Sequence, residues 1–295
     1  MDKFSGANAL NKKYKIKYLT GKILSYFALV LFGICIVVPF LIAVITSITP
    51  KMDIVENGFR WFTGVVDIGN YKKLLTTTEY GSIYKCLLNT LLYIAPQLFV
   101  GTFCSALCAY AFARIEFRGK NVMFFAMLAT MVIPGIIITF PSYLLFVQVY
   151  KVSEWFPQFA IVVPGMFGSV GCMFFLKQYF STLPRELEEA AQIDGMGRFS
   201  MFVKIILPLS MPAVITQLLL GFNGAYNDYL VPLLYVGGNP EWYTMQLFVR
   251  GLSTSLNKSF PLLMAGGLLA LLPVLVIYLA GQKYFVEGIV MTGIK

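Results

Sequence analysis

The sequence predicts an all-α integral membrane protein with six transmembrane helices. Of its 295 residues, 58% are hydrophobic and only 13% are charged, and the mean hydropathy is +0.75. A soluble domain of this length would carry about twice that share of charge. Long apolar runs alternate with short polar segments, and since a span takes about 20 residues, the chain has room for about six.

The first span follows a basic N-terminal segment. Residues 1–23 carry six lysines, and residues 24–48 are nearly unbroken in their apolar character. A cleaved signal peptide would have a shorter apolar core and a cleavage site with small residues, so we expect a retained anchor. Residues 49–84 then form a loop of mixed charge, predicted to be external, with one short helix near 71–75.

Residues 85–281 form the predicted membrane core, which contains the other five spans. We place these spans at 87–112, 122–147, 159–176, 205–226 and 261–280. Small residues at helical spacing in span 2 indicate close helix packing. Prolines interrupt span 3, as in spans that line a substrate path, although a kink at a packed interface explains them equally well. An external loop at 237–260 and a cytoplasmic tail at 282–295 complete the map.

The distribution of Lys and Arg predicts the orientation of the chain. Fifteen of the 23 basic residues fall on the side of the N-terminus, and eight fall on the other side. By the positive-inside rule, both termini and the polar loop at 183–208 face the cytoplasm of a bacterial-type cell membrane. The net charge of +9 therefore marks topology, because no basic stripe alternates with aromatic residues as a nucleic-acid surface would require.

Several kinds of chemistry are absent from the sequence. The chain has no histidine and no G-x4-G-K-[ST] phosphate-binding loop. Cys104 and Cys108 lie one helical turn apart but lack further ligands, so we interpret them as packing thiols. No nucleophile–base pair is visible either. We therefore expect no catalytic residue, no metal site and no cofactor bound by this chain, whose surroundings are the lipid bilayer.

The loop at 183–208, LPRELEEAAQIDGMGRFSMFVKIILP, is the most charged interruption in the second half of the chain. Pro184 suits the first turn of a helix, and the helix dipole favours the glutamates that follow. Gly195 can take the positive φ that ends a helix. This pattern predicts a helix of about eleven residues whose face contains Ala190 and Ala191, where another protein can approach closely. A second helix is expected from about Arg198.

Within this loop, Glu189 to Pro208 read EAA-x3-G-x9-I-x-LP. This spacing resembles the signature loop of permease subunits from importing ABC transporters, and an ordinary charged loop has no need of it. The resemblance implies the ABC importer permease fold, in which a cytoplasmic EAA coupling helix docks in a cleft of the ATPase. The residues that it implies for coupling are Arg185, Glu186, Glu189, Ala190, Ala191, Asp194 and Gly195.

A second polar group follows span 5. Asp228 is the only acidic residue in an otherwise apolar span region, and such a residue is a functional candidate by default. Asn223, Tyr226 and Asn227 place amides and a phenol near it, a mixture that suits sugar hydroxyls and sugar rings. We therefore name these four residues as candidates for the substrate path. A structural cap, with Asp228 bonded to freed backbone groups, explains them equally well.

The resemblance narrows at these residues. Tyr226–Leu233 is similar to the WNDFxxPL block of the maltose-type, MalG-like branch of carbohydrate importers, with Tyr226 in place of Trp. Gln282–Gly288 resembles the QRYFVEG ending of that branch, and Leu183–Gly195 resembles its IPKELEEAAxIDG. The resemblance covers about residues 85–295 and departs from the branch at Tyr150–Phe156.

Membership of that branch implies a set of partners. The chain would pair with a homologous permease subunit, two ABC ATPase subunits and an extracytoplasmic sugar-binding protein. ATP and Mg would bind the ATPases, whose closure would drive alternating access through the EAA helix, so this chain is a transport subunit and not an enzyme. The residues implied for contact with the binding protein are Gly237, Gly238, Asn239, Pro240, Glu241, Trp242 and Tyr243.

Two alternatives to an oligosaccharide importer stay open. The EAA loop alone is compatible with another cargo, such as an amino acid, phosphate or a metal, although the lack of histidine argues against a metal. A membrane enzyme or a self-sufficient secondary carrier is the other alternative. A proton-coupled carrier needs a relay of titratable groups within the membrane, and the sequence offers a single carboxylate there.

Overall fold

The computed structural model describes residues 3–62, 64–77, 80–152, 156–254 and 259–293. Within these ranges the chain forms helices and no β-strand, as predicted. The α-helices, numbered in chain order, are α1 (Lys3–Ser47), α2 (Lys51–Asn57), α3 (Gly69–Thr76), α4 (Ile83–Arg114), α5 (Lys120–Thr130), α6 (Gly135–Leu144), α7 (Pro157–Met166), α8 (Val170–Thr182), α9 (Glu186–Ile193), α10 (Arg198–Leu209), α11 (Met211–Tyr226), α12 (Leu230–Val236), α13 (Met245–Thr254) and α14 (Phe260–Gly293). π-helical turns at Leu145–Val149 and Phe202–Ile206 follow α6 and interrupt α10.

Four segments among the described residues are long and apolar enough to cross a membrane. They are Tyr18–Ser47, Ile83–Arg114, Pro157–Thr182 and Phe260–Tyr284. Two bent helix pairs, α5 with α6 and α10 with α11, raise the number to six if each pair counts as one span. The bends are 87° and 78°. The chain is therefore a multi-pass membrane protein, and it reaches the six spans that the sequence predicts only when each bent pair counts as one span.

The structure contains more helix than the sequence analysis expects. Helix α1 begins at Lys3, within the basic segment, and α14 continues through the expected tail to Gly293. The lysines that precede the first apolar run are good helix formers, and no proline interrupts either extension. Helices α2 and α3 occupy the loop at 49–84, and α13 occupies the loop at 237–260.

The chain divides into two compact units, and residues 1–71 with 259–268 form the first of them. The Asn70 amide donates to the backbone carbonyls of Ser47 and Thr49, at 3.0 and 3.4 Å. The hydroxyls of Tyr71 and Ser47 share a hydrogen bond of 2.8 Å. These contacts attach the start of α3 to the end of α1. Most side chains of α1 between Tyr18 and Leu41 are exposed, as in a helix surrounded by lipid.

Residues 72–258 with 269–295 form the second unit, in which α4 packs against α7, α8 and α11. Its main apolar core joins these helices to α10. The fully buried members of this core are Ala106, Ala109, Met173, Leu176, Phe180, Phe202, Ile206 and Ala213. Alanines on α4 leave room for the aromatic side chains of α8 and α10. The core therefore fixes the C-terminal half of α4 against the helices that flank α9.

The break between α7 and α8 packs against the middle of α4. Gly168 has a φ of 89°, and a side chain there would collide with the Ser105 hydroxyl and the Gly101 carbonyl. The Ser105 hydroxyl accepts a hydrogen bond of 3.0 Å from the Ser169 N–H, which the break removes from the helix pattern. The close packing predicted from the small residues of span 2 is thus confirmed at this contact.

Candidate functional site

The polar loop at 183–208 forms a short helix, α9, that ends before Gly195. The helix has eight residues where the sequence predicts about eleven, because regular α-helix begins only at Glu186. The N–H groups of Glu188 and Glu189 both donate to the Arg185 carbonyl. Gly195 has a φ of 76°, and the N–H of Met196 returns to the Ala191 carbonyl, so the helix ends in the manner that the sequence predicts.

The two alanines of α9 face different surroundings. Ala191 is buried against its own chain and Ala190 is exposed, so the expectation that both lie on one free face is wrong. Adjacent residues of a helix lie about 100° apart, which is enough to separate them. The side chains of Leu187 and Ile193 are 42% and 87% exposed, an unusual feature on so polar a helix. The other residues named for coupling are all exposed: Arg185, Glu186, Glu189, Asp194 and Gly195.

A buried ion pair joins α9 to the end of α4. Arg114 Nη1 lies 3.3 Å from Glu188 Oε2, and the two side chains are only 3% and 15% exposed. Arg114 Nη2 donates to the carbonyls of Phe180 and Leu183, where α8 ends. The sequence analysis places Arg114 only in a basic turn. No local pattern shows that its partner lies 74 positions further along the chain.

A cavity of about 710 Å³ lies between α4, α6, α7, α11 and α12. Three of the four residues predicted for the substrate path, Tyr226, Asn227 and Asp228, line it. Asn223 does not line it and instead borders a crevice between α11 and α14. The cavity wall also carries uncharged polar and aromatic side chains that the sequence analysis does not single out, namely Thr90, Tyr93, Gln97, Thr139, Ser142, Phe146 and Tyr235. Thr90, Tyr93, Gln97, Thr139 and Ser142 carry polar groups inside apolar spans, and this is the only signal in the sequence that could have identified them.

Asp228 lies both at the start of a helix and on the cavity wall, the positions that the two roles left open by the sequence require. Its Oδ1 accepts a hydrogen bond of 3.3 Å from the N–H of Val231, so it caps the start of α12. It also lines the cavity, two residues beyond the end of α11. Burial raises the pKa of the Asp228 carboxyl, and the backbone N–H groups of Val231 and Leu230 oppose this shift.

Tyr226 is held by the helices around it. Its hydroxyl donates to the Ala270 carbonyl at 2.7 Å, and its ring stacks on Phe222 with centroids 5.4 Å apart. The Asn227 amide donates to the backbone carbonyl and to the side-chain oxygen of Asn223, at 2.9 and 3.0 Å. Tyr226 therefore lines the cavity with a fixed ring whose phenol is already bonded within the protein.

The residues named for contact with a binding protein form a turn that is attached to the N-terminal end of α4. Pro240–Trp242 are a single 3-10 turn, and the Asn239 side chain accepts from the Glu241 N–H. The Asn89 amide donates to the carbonyls of Glu241 and Tyr243, at 3.0 and 3.1 Å. Lys85 forms an ion pair with Glu241 at the surface. These contacts give the turn a defined position on α4.

The fold and these sites together define a membrane transport subunit: a multi-pass helical protein with a polar cavity among its spans and a charged helix outside them. The model of the family described as "Binding-protein-dependent transport system inner membrane component" matches residues 101–290. This match covers more than half of the chain, and the chain belongs to this family.

Two relatives illustrate the family. The chain is 30% identical over 293 residues to the maltodextrin transport system permease protein MalD of Streptococcus pneumoniae, covering 97% of this chain and 100% of the relative. It is 26% identical over 261 residues to the arabinooligosaccharides transport system permease protein AraQ of Halalkalibacterium halodurans, covering 88% and 91%. Both relatives are named as permease proteins, in agreement with a transport subunit.

A solved structure shares the fold. It is a chain of a bacterial ABC transporter involved in the import of the acidic polysaccharide alginate, with a TM-score of 0.78. The two sequences are 21% identical, and the match covers 90% of this chain and 96% of the other. The helical arrangement described above is therefore that of an ABC importer permease.

Proposed function

We propose that this chain is one permease half of an ATP-driven, binding-protein-dependent importer of oligosaccharides. The observation that carries the proposal is the cavity of about 710 Å³ that Asn227 and Asp228 share with the polar residues of α4 and α6. Amides and hydroxyls pair with sugar hydroxyls, and aromatic rings pack on sugar C–H faces. The cargoes named for the two relatives, maltodextrin and arabinooligosaccharides, belong to the same chemical class.

The charge of the cavity favours a neutral sugar. Asp228 is the only acidic residue among the described lining residues, and none of them is lysine or arginine. An acidic oligosaccharide would place its carboxylates near Asp228 with no cation on this wall to offset the repulsion, which is costly away from bulk water. We therefore expect an uncharged oligosaccharide as the cargo on this side of the path.

Helix α9 would transmit the work of a separate ATPase. We assign coupling to its exposed residues, among them Glu189, Ala190 and Gly195, and we place this surface on the cytoplasmic side. The exposed side chains of Leu187 and Ile193 add apolar area that a partner's cleft can bury, and exposed apolar patches mark such interaction sites. The partners would be two ATPase subunits, which bind ATP and Mg, and a second permease subunit.

The turn at Gly237–Tyr243 would meet the extracytoplasmic binding protein. Its attachment to α4 through Asn89 gives it a fixed shape before any partner arrives, and a preorganised loop binds at a lower entropic cost. The same helix carries Thr90 and Tyr93 in the cavity wall. Contact with the binding protein would then act close to the site where the sugar enters.

The test is uptake by proteoliposomes that contain this chain, its second permease and the ATPases, together with the sugar-loaded binding protein. We expect uptake of a neutral oligosaccharide to require ATP and to survive collapse of the proton gradient. Uptake that survives ATP depletion but stops with the proton gradient would instead establish a secondary carrier. Uptake of an amino acid, phosphate or a metal in place of the sugar would establish another cargo.

Two substitutions at Asp228 separate its two roles. Asp228→Asn removes the charge but keeps an oxygen that can cap α12, whereas Asp228→Ala removes both. If Asp228 contacts the sugar, both variants should raise the apparent KM for transport several-fold. If only Asp228→Ala changes uptake, the residue is a structural cap and does not belong to the path.

A substitution at Gly195 tests the coupling assignment. Its φ of 76° is unfavourable for a β-branched residue, so Gly195→Val should distort the end of α9. We expect ATP hydrolysis to continue without sugar uptake. Sugar-stimulated hydrolysis and uptake at the normal ratio would contradict the assignment.

A further inference from the structure

We propose that Arg114 is a positioning residue that joins the coupling helix α9 to α4, so that the two move as one body during transport. The inference rests on the proposed function, because it assigns the route by which α9 moves the wall of the sugar cavity. Arg114 lies outside the signature loop, and neither the composition nor the spacing of the sequence indicates this role for it.

The first argument is the set of contacts that one side chain makes. Arg114 pairs with Glu188 of α9 at 3.3 Å, and its Nη2 also donates to the carbonyls of Phe180 and Leu183. These carbonyls belong to the end of α8, where a helix leaves its last C=O groups unpaired and its dipole favours a cation. A single guanidinium on α4 therefore holds the end of α8, the connection that follows it, and α9.

The second argument is that stability alone is a poor reason for this ion pair. The side chain of Arg114 is 97% buried, and its Nε is buried without a hydrogen-bond partner among the described residues. Removing two charges and an unpaired donor from water costs free energy that a buried pair rarely recovers. Apolar side chains of similar volume would pack this junction at a lower cost. The ion pair instead provides a fixed, directional connection between α4 and α9.

The third argument is the course of α4 itself. This helix has 32 residues, which corresponds to about 48 Å. Arg114 is its last residue, and Tyr93 and Gln97, about 25–30 Å away along the axis, line the cavity. A displacement of α9 that is passed to Arg114 thus reaches the cavity wall through a continuous helix and needs no intervening loop.

The contacts around Glu188 strengthen this connection. Tyr110, one turn before Arg114 on α4, lines the same small pocket as Arg114 and Glu188. The neighbouring glutamate, Glu189, is exposed and lies on the surface assigned to the ATPase. The two adjacent glutamates therefore have different neighbours: Glu189 faces the partner protein, and Glu188 faces its own chain.

The experiment compares Glu188→Gln and Arg114→Lys with the wild type in the reconstituted importer. Glu188→Gln keeps the size of the side chain and removes its charge. Arg114→Lys keeps the charge but loses the planar fork that reaches the carboxylate and both carbonyls together. The matched control is Glu116→Gln, which breaks an exposed ion pair with Lys120 in the adjacent turn. The measured quantity is the number of sugars imported per ATP hydrolysed.

We expect both test variants to assemble with the ATPase, to hydrolyse ATP within twofold of the wild-type rate, and to import five- to tenfold less sugar per ATP. The control should stay within twofold of the wild type. A purely structural role would lower the yield of assembled complex without changing this ratio. A wild-type ratio in Glu188→Gln would overturn the proposal.

A distance measurement tests the connection independently of transport. Spin labels at Leu107→Cys on α4 and Gln192→Cys on α9 can be introduced into the full chain after its five native cysteines are replaced. We expect one narrow distance distribution that Glu188→Gln broadens and Glu116→Gln leaves unchanged. If the wild type shows no ATP-driven uptake, the proposed function fails, yet this readout still decides the connection. Equal distributions in all variants would refute it.

Discussion

The two ends of α4 hold their neighbours by different means. At the N-terminal end, Asn89 and Tyr93 bind the turn at 237–243 through hydrogen bonds to backbone carbonyls, and the ion pair between Lys85 and Glu241 is exposed. At the other end, Arg114 and Glu188 form a buried ion pair. An exposed pair contributes up to about 1 kcal/mol, whereas breaking a buried pair costs about 3–5 kcal/mol.

This difference suggests how one helix can serve two partners. Under the proposed function, the turn at 237–243 would adjust to a binding protein that arrives and leaves, because each of its contacts with α4 is modest. The junction of α9 with α4 would carry force in every transport cycle, which requires that α9 stays attached to α4. The predictions below test this contrast at the two ends and in the middle of the helix.

The largest effect is expected at the buried end. Arg114→Ala leaves the Glu188 carboxylate and two carbonyls without their donor, at a cost of about 3–5 kcal/mol. For a chain of this size, the melting temperature of the detergent-solubilised protein should fall by on the order of 10 °C. Lys85→Ala is the matched control at the other end. Equal losses for the two variants would remove the contrast between the ends of α4.

The middle of α4 should rank second. Gly168→Ala adds a Cβ that meets the Ser105 hydroxyl and places an alanine at a φ of 89°. The strain should cost about 1–3 kcal/mol of unfolding free energy. Gly33→Ala is the control, since nothing lies within 4 Å of that position on α1. A Gly168 variant as stable as the control would mean that the packing at the break tolerates an extra methyl group.

The uncharged contacts at the N-terminal end of α4 should have a smaller effect. Asn89→Ala removes the donor for the carbonyls of Glu241 and Tyr243, and the net loss should be about 1 kcal/mol, as for an ordinary uncharged hydrogen bond. Amide hydrogen exchange in the turn at 237–243 should accelerate roughly fivefold, since this free energy corresponds to that factor. Exchange in α9 should not change. A change there would show that the two ends are not independent.

How well the sequence predicts a structural feature depends on how far apart along the chain its interacting residues lie. The apolar spans, the proline breaks and the helix that ends at Gly195 follow from local patterns of hydropathy, dipole and φ, and the structure contains four to six candidate spans, the breaks and this helix. The joining of Glu188 to Arg114 depends on the packing of α8 against α4, and no sequence period encodes it. Expected loops such as 237–260 contain helix because tertiary packing decides such short segments.

The cavity was predictable only in part for the same reason. Asn227 and Asp228 are polar interruptions of an apolar run, so the sequence points to them. Their neighbour Asn223 is just as polar, but it borders a different crevice, because α11 presents opposite faces to α4 and α14. Gln97 and Ser142 were not singled out, since a single polar residue in a span has many explanations until the facing helices are known.

The smallest effect is expected for the exposed ion pair itself. Lys85 and Glu241 have side chains that are 46% and 66% exposed, so water and salt screen their attraction. In a double-mutant cycle with Lys85→Gln and Glu241→Gln, the coupling free energy should be about 0.2–1 kcal/mol and should shrink when salt is raised. Melting curves of the four proteins at low and high salt measure it. A coupling above 2 kcal/mol that resists salt would make the turn at 237–243 as firmly attached as α9, and it would contradict the proposal that modest contacts at this end let the turn release a partner.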